Sequence, residues 1–494
     1  MENMLKRSWL LGICPGLLGL AIGVATMLVF HSSHFIPPLK VIGDVVNSYT
    51  LQDLKGIGKP VRITFQGTRY RAVKLADVIE KADPAPNISQ LYLVGADGFV
   101  SAVKVDSIDD CFIAYTSKNG WEAVNLKHPV NSNVKLLTEI VVVSNGDTGD
   151  FAFNVISQDS NLAQITPGKL LTGSLKQYLN PEGKAVVQNN GKDYESQVFT
   201  RCRIFKLSDL IPVKDGEAFL VMGEKGECSM ADNRSCFEVK DNYVNCLQPE
   251  TRTVLEKVKG VIVRPPAASI MDVYYDTEHY LNGGDKLLVA ALDGLAYNQY
   301  RYAASKGYAP FLKNSGKVIK ASGVYPLEIN VGLAALLTGQ TAGENGILAS
   351  NDQRLKAPSI FAEANRLNKK TLYLEADRKR LETEIQPVSV TDQDADGNSD
   401  DELYQTAMDN LDKGYDLIVL RFHDIDSAGQ RYGNLAQPTM RTISAADKYL
   451  QQIIDKWTGK VIITGNQGTR SSRLNGGKGQ FTNDNMFVPY WRFQ

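Results

Sequence analysis

Three short stretches hold the residues best placed to do chemistry. "KLLVAALDGL" runs into Asp293, "DLIVLRFHDIDSAG" carries His423, Asp424 and Asp426, and "KVIITGNQG" ends in Asn466 and Gln467 between glycines. In each, polar groups follow an apolar run, the pattern of a buried strand delivering side chains to the edge of a sheet. A histidine beside two aspartates is a donor set suited to a divalent cation; the alternative is a histidine hydrogen-bonded in a structural role. Asn466 and Gln467 are neutral amides, poor metal ligands and useless as general bases. That edge offers hydrogen bonds where metal or acid–base chemistry would need charge.

Residues 392–402 read "DQDADGNSDDE". Asp392, Asp394 and Asp396 alternate and Gly397 follows, as in the first half of a calcium loop whose carboxylates converge on an oxygen-preferring ion. Leu403 stands where the closing glutamate belongs, so Asp400, Asp401 or Glu402 is expected to close the site; a solvated acidic loop capping the next helix is the alternative. Of the six cysteines, Cys228, Cys236 and Cys246 lie together in a polar stretch. No C-x-x-C spacing points to zinc, and an exported chain permits disulfides, so a Cys228–Cys236 bridge is expected.

The elements that must position these groups follow from periodicity. From Asp285 onward short apolar runs alternate with helix-length amphipathic segments at 296–306, 330–338, 358–368, 401–413 and 439–457. This alternation predicts an α/β domain over 285–494, a parallel sheet with helices on both faces. Two β-rich α+β modules precede it, at 40–146 and 147–280. Lys74-Leu75-Ala76-Asp77-Val78-Ile79 matches Lys206-Leu207-Ser208-Asp209-Leu210-Ile211, and in both modules the next strand ends in a glycine-containing turn. An internal duplication is expected. In residues 1–35, Lys6 and Arg7 precede an uncharged run at 8–30. That length spans a bilayer. The basic flank predicts an uncleaved transmembrane anchor with its N-terminus in the cytoplasm and the bulk of the chain outside the cell membrane. The net charge of -1 excludes a nucleic-acid partner held by basic charge.

Taken in order, Asp293-Gly294, "GVYPLEINVGLAALLTGQTAGENGI", "HDIDSAGQRYG", "GNQG" and "LNGGKGQFTNDNMFVPY" resemble the type I phosphodiesterase and nucleotide pyrophosphatase branch of the alkaline phosphatase superfamily over 285–494. The resemblance implies paired divalent metals, usually zinc, held by aspartates and histidines, with a Thr or Ser nucleophile between them. Carried over by position, Asp293 keeps the first aspartate and Ile329 falls on the nucleophile. Asp426 is kept in the D-x-x-G-H motif but its histidine is Gln430. The D-H-G motif becomes Asn466-Gln467-Gly468, and the final H-G becomes Lys478-Gly479. The retained aspartates belong to different metals, so transition metals are not expected. Lys478 is expected to bring an ammonium to the old cation position and pair with Asp426 or Asp293. Glu328, one position from Ile329, is a weaker replacement for the nucleophile or base.

In the first module, "VKLADVI" followed by "LVGADGF" resembles the molybdopterin-binding domain of sulfite-oxidase-like oxidoreductases. That family ligates molybdenum through a cysteine thiolate. No cysteine precedes the motif within the module, and Cys111 follows it in an apolar run, so the resemblance implies a fold without molybdopterin. The function expected is a membrane-anchored extracytoplasmic pseudoenzyme that binds or scaffolds a protein partner outside the cell. The alternative is a metal-dependent phosphodiester hydrolase with an atypical site, and a molybdenum redox role ranks third.

Overall fold

The computed structural model describes residues 38–145, 151–248, 253–468 and 480–493. The chain divides into two compact units, residues 1–145 and 146–494. The apolar run at 8–30 and Lys478 lie outside the described residues. Among the described residues no helix is long and apolar enough to cross a membrane.

In the first unit, β1 (Leu39–Gly43), β2 (Tyr49–Leu51), β3 (Ile88–Gly95), β4 (Val100–Lys104) and β5 (Leu137–Ser144) form a sheet in the order β2-β1-β5-β3-β4. Only β1 and β5 run parallel. A second sheet joins strands Val61–Phe65, Thr68–Lys74, Cys111–Thr116 and Gly120–Asn125. The first matched hexapeptide forms α1 (Leu75–Glu80), which buries Leu75, Val78 and Ile79, the spacing of one helical face.

The second unit opens with β6 (Phe153–Ser157), β7 (Asn161–Ile165), β8 (Phe219–Gly223), β9 (Cys228–Ala231) and β10 (Val258–Val263), in the order β7-β6-β10-β8-β9. Again one pair, β6 and β10, is parallel and the others are antiparallel. Strand order and pairing directions are those of the first unit. The second hexapeptide makes only a short 3-10 turn at Leu207–Asp209. There Asp209 Oδ2 accepts from Lys206 N at 2.7 Å and closes the turn on itself.

The five described cysteines are free thiols, which corrects the expected Cys228–Cys236 bridge. Cys228 on β9 faces Met222 in this sheet, whereas Cys236 faces Leu247 in a second, five-stranded sheet of the module, formed by strands Lys176–Asn189, Lys192–Phe205, Cys236–Lys240, Tyr243–Gln248 and Thr253–Leu255. Neighbours along the chain are thus separated by the layering of the module.

The second unit also contains an eight-stranded sheet. Its strands are β11 (Ala268–Ser269), β12 (Leu287–Leu292), β13 (Ile319–Ser322), β14 (Thr371–Ala376), β15 (Val388–Val390), β16 (Leu417–Phe422), β17 (Lys460–Gly465) and β18 (Phe487–Phe493), in the order β11-β13-β18-β17-β12-β16-β14-β15. All neighbours are parallel except those of β18. Its longer helices are α2 (Asp272–Asn282), α3 (Tyr297–Ser305), α4 (Ile329–Thr338), α5 (Ile360–Arg366), α6 (Asp400–Met408), α7 (Asp424–Tyr432) and α8 (Gln437–Lys456). The central strand β12 is buried along its whole length, as expected where both faces are covered. Leu288, Ala290 and Leu292 join the core beneath α3, α6 and α8. Leu287, Val289 and Ala291, on the opposite face by the two-residue period of a strand, join the core beneath α2, α4 and α5. Every residue of α4 is buried, matching a helix that is apolar around nearly its whole circumference.

Candidate functional site

Leu292 is aligned with Phe422 on one side and with Gly465 on the other. The next residues along the three strands, Asp293, His423 and Asn466, therefore meet at the carboxyl edge of the sheet. Asp293 N donates to Phe422 O at 2.9 Å, fixing the turn. Two glycines let the surroundings close in. A Cβ on Gly332 of α4 would lie 2.5 Å from Asn466 O, and one on Gly465 would lie 2.2 Å from Leu295 O.

Asp293 is fully buried. Its Oδ2 accepts from Arg421 Nη2 at 2.5 Å and its Oδ1 from Asn466 Nδ2 at 2.5 Å. His423 Nδ1 lies 3.5 Å from the same Oδ2. Burial alone would raise the Asp293 carboxyl; Arg421, followed by His423, outweighs it and holds its pKa below the ordinary value. Arg421 is also fully buried. Burial disfavours its charge, but Asp293 and Glu375 overcome that and raise its pKa. The guanidinium also donates to Ala376 O at 3.0 Å. Glu375, opposite Arg421 in the sheet, accepts from Tyr373 OH at 2.7 Å and from Arg380 N at 3.3 Å. Burial is the main cause of its raised pKa.

The cation beside Asp293 is thus Arg421, from the middle of "DLIVLRF". The expected pairing with Lys478 falls outside the described residues, and both Asp293 oxygens already have partners. The signal for Arg421 was in the sequence: a single charge in a six-residue buried strand demands a buried counter-charge.

The other retained aspartate stands apart. Asp426 Oδ2 accepts from Gln430 Nε2 at 2.6 Å, one turn along α7. Gln467 is buried, and neither atom of its amide has a hydrogen-bond partner among the described residues. Ile329 is the first residue of α4 and is buried. The preceding Glu328 accepts from Ser350 Oγ.

Asp424, a member of the alternative metal set with His423, is committed elsewhere. It accepts from Ser399 N at 3.1 Å and from Asp400 N at 3.0 Å, at the start of α6. Asp400 in turn accepts from His423 N at 2.7 Å and from Asp424 N at 3.1 Å, at the start of α7. Each helix lends its first carboxylate to the other's free N–H groups. Asp400 is driven well above the ordinary aspartate range by burial and then by Asp424. Burial likewise raises Asp424.

This exchange corrects the expected role of Asp400, which turns inward and does not join the acidic loop. Exposed Asp392, Asp394 and Asp396 bring carboxylate oxygens within 4.8 Å of one another, and Asp394 does the same with Asp401 and Glu402. In the first unit, Cys111 is buried and its thiol is pushed up to about 11, by burial and then by Asp110 and Asp109. That is opposite to the shift a ligating thiolate needs.

No family model matches the chain and no curated protein matches it. Among solved structures it is similar to murine ectonucleotide pyrophosphatase/phosphodiesterase 5, at 20% identity over 38% of this chain and 58% of that one, with a TM-score of 0.31. Phosphonoacetate hydrolase from Sinorhizobium meliloti 1021 is matched at 16% identity over 40% of this chain and 59% of that one, with a TM-score of 0.32. The C-terminal periplasmic domain of phosphoethanolamine transferase EptC from Campylobacter jejuni is matched at 12% identity over 42% of this chain and 79% of that one, also with a TM-score of 0.32. These neighbours are alkaline phosphatase superfamily members. The chain spans less than two thirds of the first two, 58% and 59%.

Proposed function

We propose that the α/β domain is an alkaline-phosphatase-like fold adapted to binding or scaffolding, with a buried ion pair at the position of a metal centre. The carrying observation is that both oxygens of Asp293 are engaged, by the Arg421 guanidinium and by the Asn466 amide. A divalent cation placed there would displace a hydrogen-bonded positive charge whose other buried acidic neighbour among the described residues, Glu375, is itself bonded to Tyr373. Ile329 at the matched nucleophile position adds support, since its side chain carries no nucleophilic atom. The relocated set of His423, Asp424 and Asp426 is disfavoured because Asp424 caps α6 and Asp426 is bonded to Gln430. A single-pass anchor at 8–30 and a protein partner outside the cell belong to the same reading.

The test is metal content of the purified chain by elemental mass spectrometry after dialysis against zinc and manganese, alongside turnover of a nitrophenyl phosphodiester. The expected result is no retained transition metal and no turnover. Two equivalents of either metal with turnover would sink the proposal in favour of a hydrolase.

A further inference from the structure

On the antiparallel pair β8–β9, Leu220 faces Met230 and Met222 faces Cys228. The alternate residues Phe219 and Val221 point the other way, into the module's own core. One face of this pair is therefore an apolar, sulfur-rich surface turned toward the α/β domain. The domain covers it only in part: Met222 joins a core with Tyr325 and Leu327, while Met230 remains 56% exposed. Between the two lies a cavity of about 690 Å³, lined also by Met271, Val324 and Pro265-Pro266. Its size is that of a small-molecule site, and sites of this kind favour the seams between packed modules.

The walls are pinned. Arg264, in the left-handed region at φ 53, donates its N–H to Ala218 O at 2.9 Å and accepts from Gln158 Nε2 at 3.0 Å. The two prolines after it have fixed φ and no N–H to pair with a sheet edge. Across the cavity, Gly323 N donates to Met486 O at 2.7 Å. The space is preformed, held open by backbone bonds on both sides.

Its chemistry selects the ligand. The charged groups on the lining, Glu217 and Arg264, pair with each other at 3.6 Å, leaving no net charge to hold an ionised ligand. The thioethers of Met222, Met230 and Met271 have several rotatable bonds and mould to a flexible chain. Tyr325 is the one aromatic ring on the lining, so the walls suit an aliphatic chain better than stacked rings. We infer that this cavity binds an uncharged small molecule with a flexible aliphatic chain.

Cys228 reports on it, being the one described cysteine that is not fully buried and part of the lining. The experiment follows N-ethylmaleimide labelling of Cys228, peptide by peptide, in the full-length chain without alkyl detergent, which would itself fill the cavity. Decan-1-ol is the probe and thermal unfolding the second readout. At about ten times its Kd, the alcohol should slow Cys228 labelling about tenfold and raise the Tm. Decanoate above its carboxyl pKa should do markedly less. Met230→Trp, which fills the space from an exposed position, should abolish both effects of the alcohol while keeping the unliganded Tm. An unchanged labelling rate and Tm with decan-1-ol, equal protection by decanoate, or full protection persisting in Met230→Trp would each overturn the inference.

Discussion

Arg421 Nη2 stands 2.5 Å from Asp293 Oδ2 with neither side chain exposed. The attraction works in a medium that screens little, but both ions were stripped of water to reach it. Removing one partner should therefore be far worse than removing both. Asp293→Ala is expected to lose ~3–5 kcal/mol, whereas Asp293→Leu combined with Arg421→Met should lie within about 1–2 kcal/mol of the parent. Urea unfolding of the single and double variants measures the coupling directly.

The same pair sets an acid limit. Asp293 has a folded pKa below its unfolded value. Its stabilising contribution is therefore complete above the unfolded pKa of ~3.9 and is lost as pH falls through the folded value. Asp293→Asn should remove that part of the acid sensitivity while costing stability at neutral pH. Unfolding curves at pH 3, 5 and 7 would show a flatter profile for the variant; an unchanged slope would refute this.

The carboxylates exchanged between α6 and α7 behave oppositely. Asp400 and Asp424 both titrate above the ordinary range. The folded state therefore holds protons that the unfolded chain has released, and stability falls as pH rises from ~3.9 through the folded values. Asp400→Asn keeps one acceptor for the start of α7 and removes the like charge. Its Tm relative to the parent should improve steadily between pH 4 and pH 7. A constant offset would mean that the two carboxylates do not share this burden.

Under the proposed ion-pair reading, introducing single metal-ligand residues should not bring metal binding. Asn466→Asp puts a second carboxylate against Asp293 and removes the donor at 2.5 Å; a loss of ~2 kcal/mol or more at neutral pH is expected. Zinc uptake should stay absent as long as Arg421 is present. Zinc bound stoichiometrically by Asn466→Asp with Arg421 intact would contradict the ion-pair account.

Gly332 tests how tightly the site is packed. With a Cβ placed 2.5 Å from Asn466 O, Gly332→Ala should cost ~1–3 kcal/mol despite the better helix propensity of alanine. An unchanged Tm would show that α4 can retreat without consequence.

Much of the α/β layout is legible in the sequence because local periodicity encodes it. The segments at 296–306, 330–338, 358–368, 401–413 and 439–457 each enclose or overlap a helix, and the apolar runs ending at Asp293, Phe422 and Gly465 are strands. The partner of Asp293 is a different matter. It lies 128 residues away along the chain and reaches Asp293 only because β12 and β16 are neighbours in a sheet whose order is not sequential. A position-by-position comparison with a metal-binding pattern also passes over Arg421, since it occupies no ligand position in that pattern. The disulfide expectation failed for a related reason: nearness along the chain says nothing about which sheet a strand joins. The inward turn of Asp400 depends on α7, which contributes the N–H groups it caps, and no local pattern encodes that partner.

A metal centre ties a fold to its surroundings, since the ion must be present, reach the site and survive chelators and acid. The guanidinium of Arg421 is made with the chain. The charge that steadies Asp293 arrives on the ribosome's schedule, in a one-to-one ratio that dilution cannot change. On the proposed reading, the pairing at the centre of this sheet is independent of metal supply.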